Sequence, residues 1–145
     1  MAVFIHSAAP TDLPAVLGLL HRNGLPQDGL ADHLATTLVA RDEQTVIGSA
    51  ALEVYDGAAL LRSVAVEPSY QGQGIGRQLT QAALALAKER GIPLVYLLTE
   101  TAGGFFPRFG FRPIARQEVA PSAQQSVEFT TACPTSALVM VVHLS

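Results

Sequence analysis

The stretch Leu60-Leu61-Arg62-Ser63-Val64-Ala65-Val66-Glu67-Pro68-Ser69-Tyr70-Gln71-Gly72-Gln73-Gly74-Ile75-Gly76-Arg77 decides how this chain is read. Its first part is an apolar run of strand type. Its last part is a glycine turn that opens onto a helix, since Ile75, Leu79, Ala82, Ala83, Leu86 and Ala87 recur at helical spacing as far as Gly91. Glycines at 72, 74 and 76 tolerate positive φ and let backbone N–H groups approach a ligand, and the helix start adds its positive dipole end. Such a turn suits a pyrophosphate. It lacks the Gly-Lys-Ser/Thr of a Walker loop, and a dinucleotide fingerprint would follow its strand directly, without the intervening Glu67 to Tyr70. Arg77 either pairs with a phosphate or is a solvated arginine of the helix start.

Outward from the turn, Leu94 to Thr99 is a compact strand after Pro93, which the helix could bring alongside Leu60 to Val66 in parallel. On the N-terminal side, Leu38 to Arg41, Val46 to Tyr55 and Leu60 to Val66 read as three sequential antiparallel strands, joined by polar turns at 42–44 and at Asp56-Gly57. Before them come a short strand, Phe4 to His6, and a helix capped by Thr11 or Asp12 and stopped by Gly24. The Gly24 to Asp32 stretch reads as a loop of the kind that borders a cleft. On the C-terminal side, Ala102 to Phe109 reads as a short helix closed by Gly110, Phe111 to Ala115 as a strand, Ser122 to Thr130 as a helical segment, and Ala137 to His143 as a last strand. The class is α+β, one domain over residues 1–145 with a mixed, mostly antiparallel sheet flanked by helices.

Composition excludes several functions. With 145 residues, 49% hydrophobic and 14% charged, the chain fits one globular core and not a disordered segment. A net charge of -3 with nine scattered Lys and Arg gives no basic footprint for nucleic acid or an anionic membrane. One cysteine, Cys133, rules out an internal disulfide framework and fits a reducing cytoplasm. No apolar run approaches the roughly 20 residues of a membrane span, and the opening MAVFIHSAAPTDLP lacks the basic start of a secretory signal. The low charge and the final strand are compatible with a homodimer.

The string from Leu61 to Gly76 resembles the acetyl-CoA motif of the GNAT superfamily of N-acetyltransferases, whose core is Gln/Arg-x-x-Gly-x-Gly/Ala. Gln71, Gly74 and Gly76 fall on those positions. Ala102-Gly103-Gly104-Phe105-Phe106-Pro107-Arg108-Phe109-Gly110-Phe111 resembles the same superfamily's helix-to-strand signature, in the right order. The resemblance implies the GNAT fold, with its sheet splayed between strands four and five and a bulge in strand four. It implies acetyl-CoA as co-substrate, held by the main chain of Val64, Ala65 and Val66 along its pantetheine arm and by Gln71, Gly72, Gln73, Gly74, Ile75, Gly76 and Arg77 at its pyrophosphate. Within the superfamily, Leu98-Thr99-Glu100-Thr101-Ala102 with Phe105-Phe106, and the Glu128-Phe129 and Cys133-Pro134 pairs, resemble the small acetyltransferases of bacterial arsenic-resistance operons. A looser likeness runs to the acetyltransferase domain of N-acetylglutamate synthases, which has an arginine where this chain has Thr101. These likenesses imply a small amino-acid-like amine as acceptor, such as a glutamate-like arsenic or phosphinic compound.

Acetyl transfer to an amine needs a proton acceptor, a donor for the carbonyl oxygen and a proton for the departing thiolate. The resemblance places the main-chain N–H of Val66 at the oxygen. The tyrosine that many relatives carry as acid is replaced here by Phe106, which leaves water, Thr99, Thr101 or Tyr55. Glu53, in the apolar run Ala50 to Val54, is the candidate base, with a pKa raised by burial if it faces the cleft; otherwise it faces outward. Glu100 is a second candidate, and Glu67 belongs to an exposed loop. Arg62 either holds an acidic substrate or packs its stem on the sheet surface; Arg112 invites the same alternatives, and Arg62, Glu53 and Thr101 are the candidate substrate-binding residues. His6, His21, His33 and His143 lack metal-ligand spacing, so no metal is expected. Cys133 reads as a buried thiol. Phe105, Phe106, Phe109 and Phe111 pack the core, with Phe105 or Phe106 lining a thioester pocket. Two other readings stay open: a protein or peptide N-acetyltransferase, and a CoA-binding sensor without catalysis.

Overall fold

Polar turns start the sheet. Strands β1 (Val3–Ser7), β2 (Thr37–Asp42), β3 (Thr45–Tyr55) and β4 (Ala58–Val66) pair antiparallel in that order, with Glu43 and Gly57 taking the positive φ that the two tight connections need. The computed structural model describes residues 3–100, 102–133 and 137–144. Helix α1 (Leu13–Arg22) lies between β1 and β2 in the chain, and α2 (Ile75–Glu89) follows the glycine turn. Helix α2 returns the chain so that β5 (Leu94–Thr99) lies parallel to β4. Strand β7 (Leu138–His143) then inserts between β5 and β6 (Arg112–Ile114), which gives the order β1-β2-β3-β4-β5-β7-β6.

Alternation along the strands distributes the core over both faces. Ala40, Ile47, Leu52 and Leu61 meet the α2 stripe of Ile75, Leu79, Ala83 and Ala87 on one side. Their neighbours Val39, Val46 and Ala51 meet Val16, Leu19 and Leu20 of α1 on the other. The rest of that second face, with Leu60 and Tyr96, is covered by Val119 and Ala123. Gly48 sits where α2 comes closest, since a Cβ there would meet Leu79 at 2.8 Å.

Two irregularities position the site. Ser49 pairs with Ala65 but Ala51 pairs with Arg62, so Ser63 and Val64 together face Ala50 and form a bulge in β4. Ser63 has a φ of 59°, and the Ser49 hydroxyl donates to its carbonyl at 2.6 Å. The second irregularity is a splay. Pairing between β4 and β5 runs only from Ala58↔Leu94 to Leu60↔Tyr96, while β5 stays paired with β7 as far as Thr99↔Leu138.

Some sequence expectations are corrected. Only Phe106–Phe109 of the expected 102–109 helix forms, as a short turn, because Gly103, Gly104 and Pro107 oppose a longer one. The 122–130 segment is two separate turns, Ala123–Gln125 and the wide turn Glu128–Ala132. Asp12 stands at the N-cap of α1 but makes no side-chain cap bond; its carboxylate accepts the N–H of Ala9 and pairs with Arg41. No helix among the described residues is long and apolar enough to cross a membrane.

Candidate functional site

Where β4 and β5 part, they leave a cleft of about 290 Å³. Residues 61–64 form one wall and residues 97–100 the other, with Phe106 between them. Asn23, Gly24, Leu25 and Pro26 border it on one side, Glu128 and Cys133 on another.

The backbone of β4 presents free groups to this cleft. The Glu67 N–H donates to the Ile47 carbonyl at 2.7 Å, so the adjacent Gly48↔Val66 pair is the non-bonded one of the antiparallel ladder. The N–H of Val66 therefore points away from β3, toward the side from which β5 has diverged. Its carbonyl accepts from the Gln71 side-chain amide at 3.0 Å, which ties the glycine turn to the strand end. Gly72 and Gly74 both have φ of 83° with open space where a Cβ would sit, and Gly74 caps α2. The first N–H groups of α2 have no intrahelical acceptor. Residues 71–74 and Arg77 are exposed. A concave row of backbone donors at the start of a 15-residue helix results, beside a free strand edge.

Charge is concentrated on the far side of the bulge. The Arg62 side chain is fully buried and donates from Nη1 to Glu53 Oε2 at 2.8 Å and to the Asp28 carbonyl at 2.6 Å. Its Nη2 donates to the Pro26 carbonyl at 3.1 Å, and its Nε lies 3.1 Å from Ser63 Oγ and 3.2 Å from Glu128 Oε2. Arg62 thus joins β3, the 23–29 loop and the 126–133 segment. Glu53 also accepts the Tyr55 hydroxyl at 2.5 Å and a Ser126 hydroxyl bond, with His33 Nε2 at 3.8 Å. Burial pushes the Glu53 pKa up, but the hydrogen bonds from Ser126, Tyr55 and Arg62 and the charge of His33 outweigh it, so the carboxyl titrates below its usual range. The Tyr55 phenol is pushed up by burial and by the Glu53 carboxylate. Glu128 differs: burial raises it to about 7, Arg62 pulls it down, Glu53 pushes it up, and the Cys133 thiol is its remaining partner. That thiol is itself pushed up to about 12 by burial and by Glu128.

The structure brings together most of the residues singled out from sequence. Arg62, Val64 and Thr99 line the cleft. Glu53 is buried behind it, neither outward-facing nor raised in pKa as sequence reasoning expected. Arg62 is not the surface arginine of the alternative reading. The Thr99 hydroxyl accepts the Ala102 N–H at 2.9 Å. Phe106 is buried at the cleft, whereas Phe105 stacks edge-on against it and approaches Gly76. Thr101 lies outside the described residues. Glu100 lines the cleft mouth, and Glu67 pairs with Arg22 on the surface. Sequence reasoning missed the role of Glu128, which sat in a polar segment with no periodicity to show that it turns inward, and of Ser126, whose Oγ also accepts the Glu128 N–H at 3.1 Å.

Comparisons with known proteins agree with this geometry. The family model described as an acetyltransferase (GNAT) domain matches residues 33–113. An uncharacterised N-acetyltransferase of Chlorobaculum tepidum, CT2212, is 34% identical over 91 residues, 62% of this chain and 58% of the relative. The chain therefore spans little more than half of that curated relative. Among solved structures, Rv2747 from Mycobacterium tuberculosis, in complex with CoA and NLQ, superposes with a TM-score of 0.82 at 24% identity, over 98% of this chain and 99% of the other. The N-acetylglutamate synthase of Neisseria gonorrhoeae, complexed with coenzyme A and N-acetyl-glutamate, gives 0.85 at 21% identity, over 100% of this chain and 36% of the other.

Proposed function

The chain belongs to the GNAT acetyltransferase family, and from that premise we propose that it transfers the acetyl group of acetyl-CoA to the primary amine of a small, amino-acid-like molecule held in the β4–β5 cleft. The observation that carries this reading is the free backbone of β4 beyond Leu60, running directly into the Gly72/Gly74 turn. That pairing fits the co-substrate. A strand edge without a partner takes an amide-containing arm as a sheet takes an added strand, and the row of N–H donors at α2 takes a pyrophosphate without any buried cation. Bound there, acetyl-CoA would supply an acyl carbon activated as a thioester.

In this reading the main chain of Val64, Ala65 and Val66 binds the arm, and residues 71–76 with Arg77 bind the pyrophosphate. The Val66 N–H faces the carbonyl oxygen as charge develops on it. Phe105 and Phe106 exclude water from the thioester end, and the Thr99 hydroxyl stands on the opposite wall as a proton source for the thiolate. Glu53 fixes Arg62 instead of acting as base, and Arg62 holds the cleft wall instead of the acceptor. The amino-acid-like acceptor is supported by the N-acetyl-glutamate bound to the gonococcal neighbour; a glutamate-like arsenic or phosphinic compound is the narrower form. Residues 23–26 and the 128–133 segment border the acceptor side and favour a small molecule over a peptide.

The test is CoA release, followed with a thiol reagent, against free amino acids, phosphinic and arsenical glutamate analogues, and short peptides. Release with a free amine above that with peptides is expected. Faster turnover of peptides contradicts the small-molecule reading, and tight acetyl-CoA binding with no turnover on any amine leaves a sensor.

A further inference from the structure

An amine that enters the cleft as an ammonium ion must lose a proton before it can attack, and the buried charge cluster beside the cleft holds two carboxyl groups. Two carboxylates, Glu53 and Glu128, share one guanidinium. Among the described residues lining the cleft Arg62 is the one cation. The cluster is balanced when one carboxyl is protonated, and the donors decide which. Glu53 receives Tyr55, Ser126 and a short Arg62 bond at 2.8 Å. Glu128 receives the longer Arg62 contact at 3.2 Å and the weak thiol donor of Cys133, and of these two carboxylates it is the one that lines the cleft; Glu100, which also lines it, is no part of the Arg62 cluster.

We propose that Glu128, not Glu53, accepts the proton of the acceptor amine, and that Arg62 and Ser126 are positioning residues that hold Glu128 on the cleft wall. This rests on the acetyltransferase reading above. The groups facing Glu128 are Arg62 from β4, Glu53 from β3 with Tyr55 and His33 behind it, and Cys133 on its own segment, whose thiol in turn feels the charge of Glu100. Ionised Glu128 takes one N–H proton from the ammonium, leaving the nitrogen lone pair free. As the N–C bond forms, the carbonyl π electrons move onto oxygen, where the Val66 N–H meets them. As they return, the C–S bond breaks and its electron pair leaves on sulfur. The second N–H proton goes to that sulfur, directly or through Thr99, and Glu128 releases its proton to solvent. The sum is one amide, one free thiol and one proton.

The experiment has two arms. In the first, the pH dependence of kcat/KM is measured with the best free amine of the panel for wild type, Glu128→Gln and Glu53→Gln. Wild type should lose activity on acidification with an apparent pKa near 7. Glu128→Gln should fall about a hundredfold or more above that pH and lose the acid limb, whereas Glu53→Gln should keep the limb. An unchanged limb in Glu128→Gln, or its loss in Glu53→Gln alone, overturns the proposal. In the second arm the carboxyl carbons of ¹³C-labelled glutamates are titrated by NMR in the wild-type protein, which needs no variant to fold. A Glu128 midpoint near 7 with Glu53 below the ordinary range is expected; a Glu128 midpoint at or below 5 overturns the assignment. Absence of CoA release from wild type with every amine contradicts the acetyltransferase reading instead, which separates the two failures.

Discussion

Two buried carboxylates around one guanidinium give opposite pH signatures. Glu128 titrates at about 7 in the fold against an ordinary 4.5, so the folded state binds more protons and the stabilisation present below 4.5 is lost as pH rises through 7. Glu53 is shifted down, so its contribution is present above 4.5 and lost as pH falls. Chemical denaturation across pH 4.5 to 7 should show wild type losing stability relative to Glu128→Gln, with a slope of at most about 1.4 kcal/mol per pH unit; parallel curves would contradict the raised carboxyl. Arg62→Ala removes the guanidinium that both acids share and should destabilise by about 3–5 kcal/mol at neutral pH. The deficit should shrink near pH 4 in urea unfolding, because Glu128 is then protonated. An acid in an apolar strand announced that Glu53 was special. Its depressed pKa was not legible, because its donors come from Arg62 on the next strand and from Ser126, distant in sequence.

At the scale of elements, the glycine turn carries the most information per residue. Gly74, at φ 83°, cannot take a side chain without strain, whereas a Cβ on Gly76 would meet its neighbours at 3.7 and 3.9 Å, ordinary contact distances. Gly74→Ala is therefore expected to lose about 1–2 kcal/mol of stability and most of its acetyl-CoA affinity, and Gly76→Ala to stay within about 0.5 kcal/mol of wild type. Thermal unfolding and calorimetric titration of both variants check the contrast. Gly48→Ala should destabilise by about 1–3 kcal/mol by forcing Leu79, and α2 with it, off the sheet. Strands, both helices and the glycine turn were legible because their periods and breakers are local. The 102–109 helix was overestimated because Gly103, Gly104 and Pro107 outweigh the apolar spacing there, and the 122–130 segment, which has no apolar period to hold one helix, forms two turns.

Over the whole molecule, function follows from where the sheet fails to close. β4 and β5 start as a parallel pair and separate after Leu60 and Tyr96, and Arg62, Val64, Thr99, Phe106 and Glu128 line the gap. The order of the last two strands was the least legible part of the fold. Nothing in residues 138–143 says that they insert between β5 and β6, because that choice depends on the long connection from β6 and on a core shared with Val119 and Ala123. The sparse charge of the chain acquires a meaning in the proposed reading: the pyrophosphate is left to backbone donors, while the Glu53–Arg62–Glu128 cluster stands beside the cleft.

The most direct measurement of the central claim is isothermal titration of acetyl-CoA into the wild-type protein, paired with thermal unfolding in the same buffer. One saturable site per chain is expected, with about 2.7 kcal/mol of added stability at a hundredfold excess over Kd. No heat of binding, together with a thermal midpoint unmoved by excess acetyl-CoA, would contradict it.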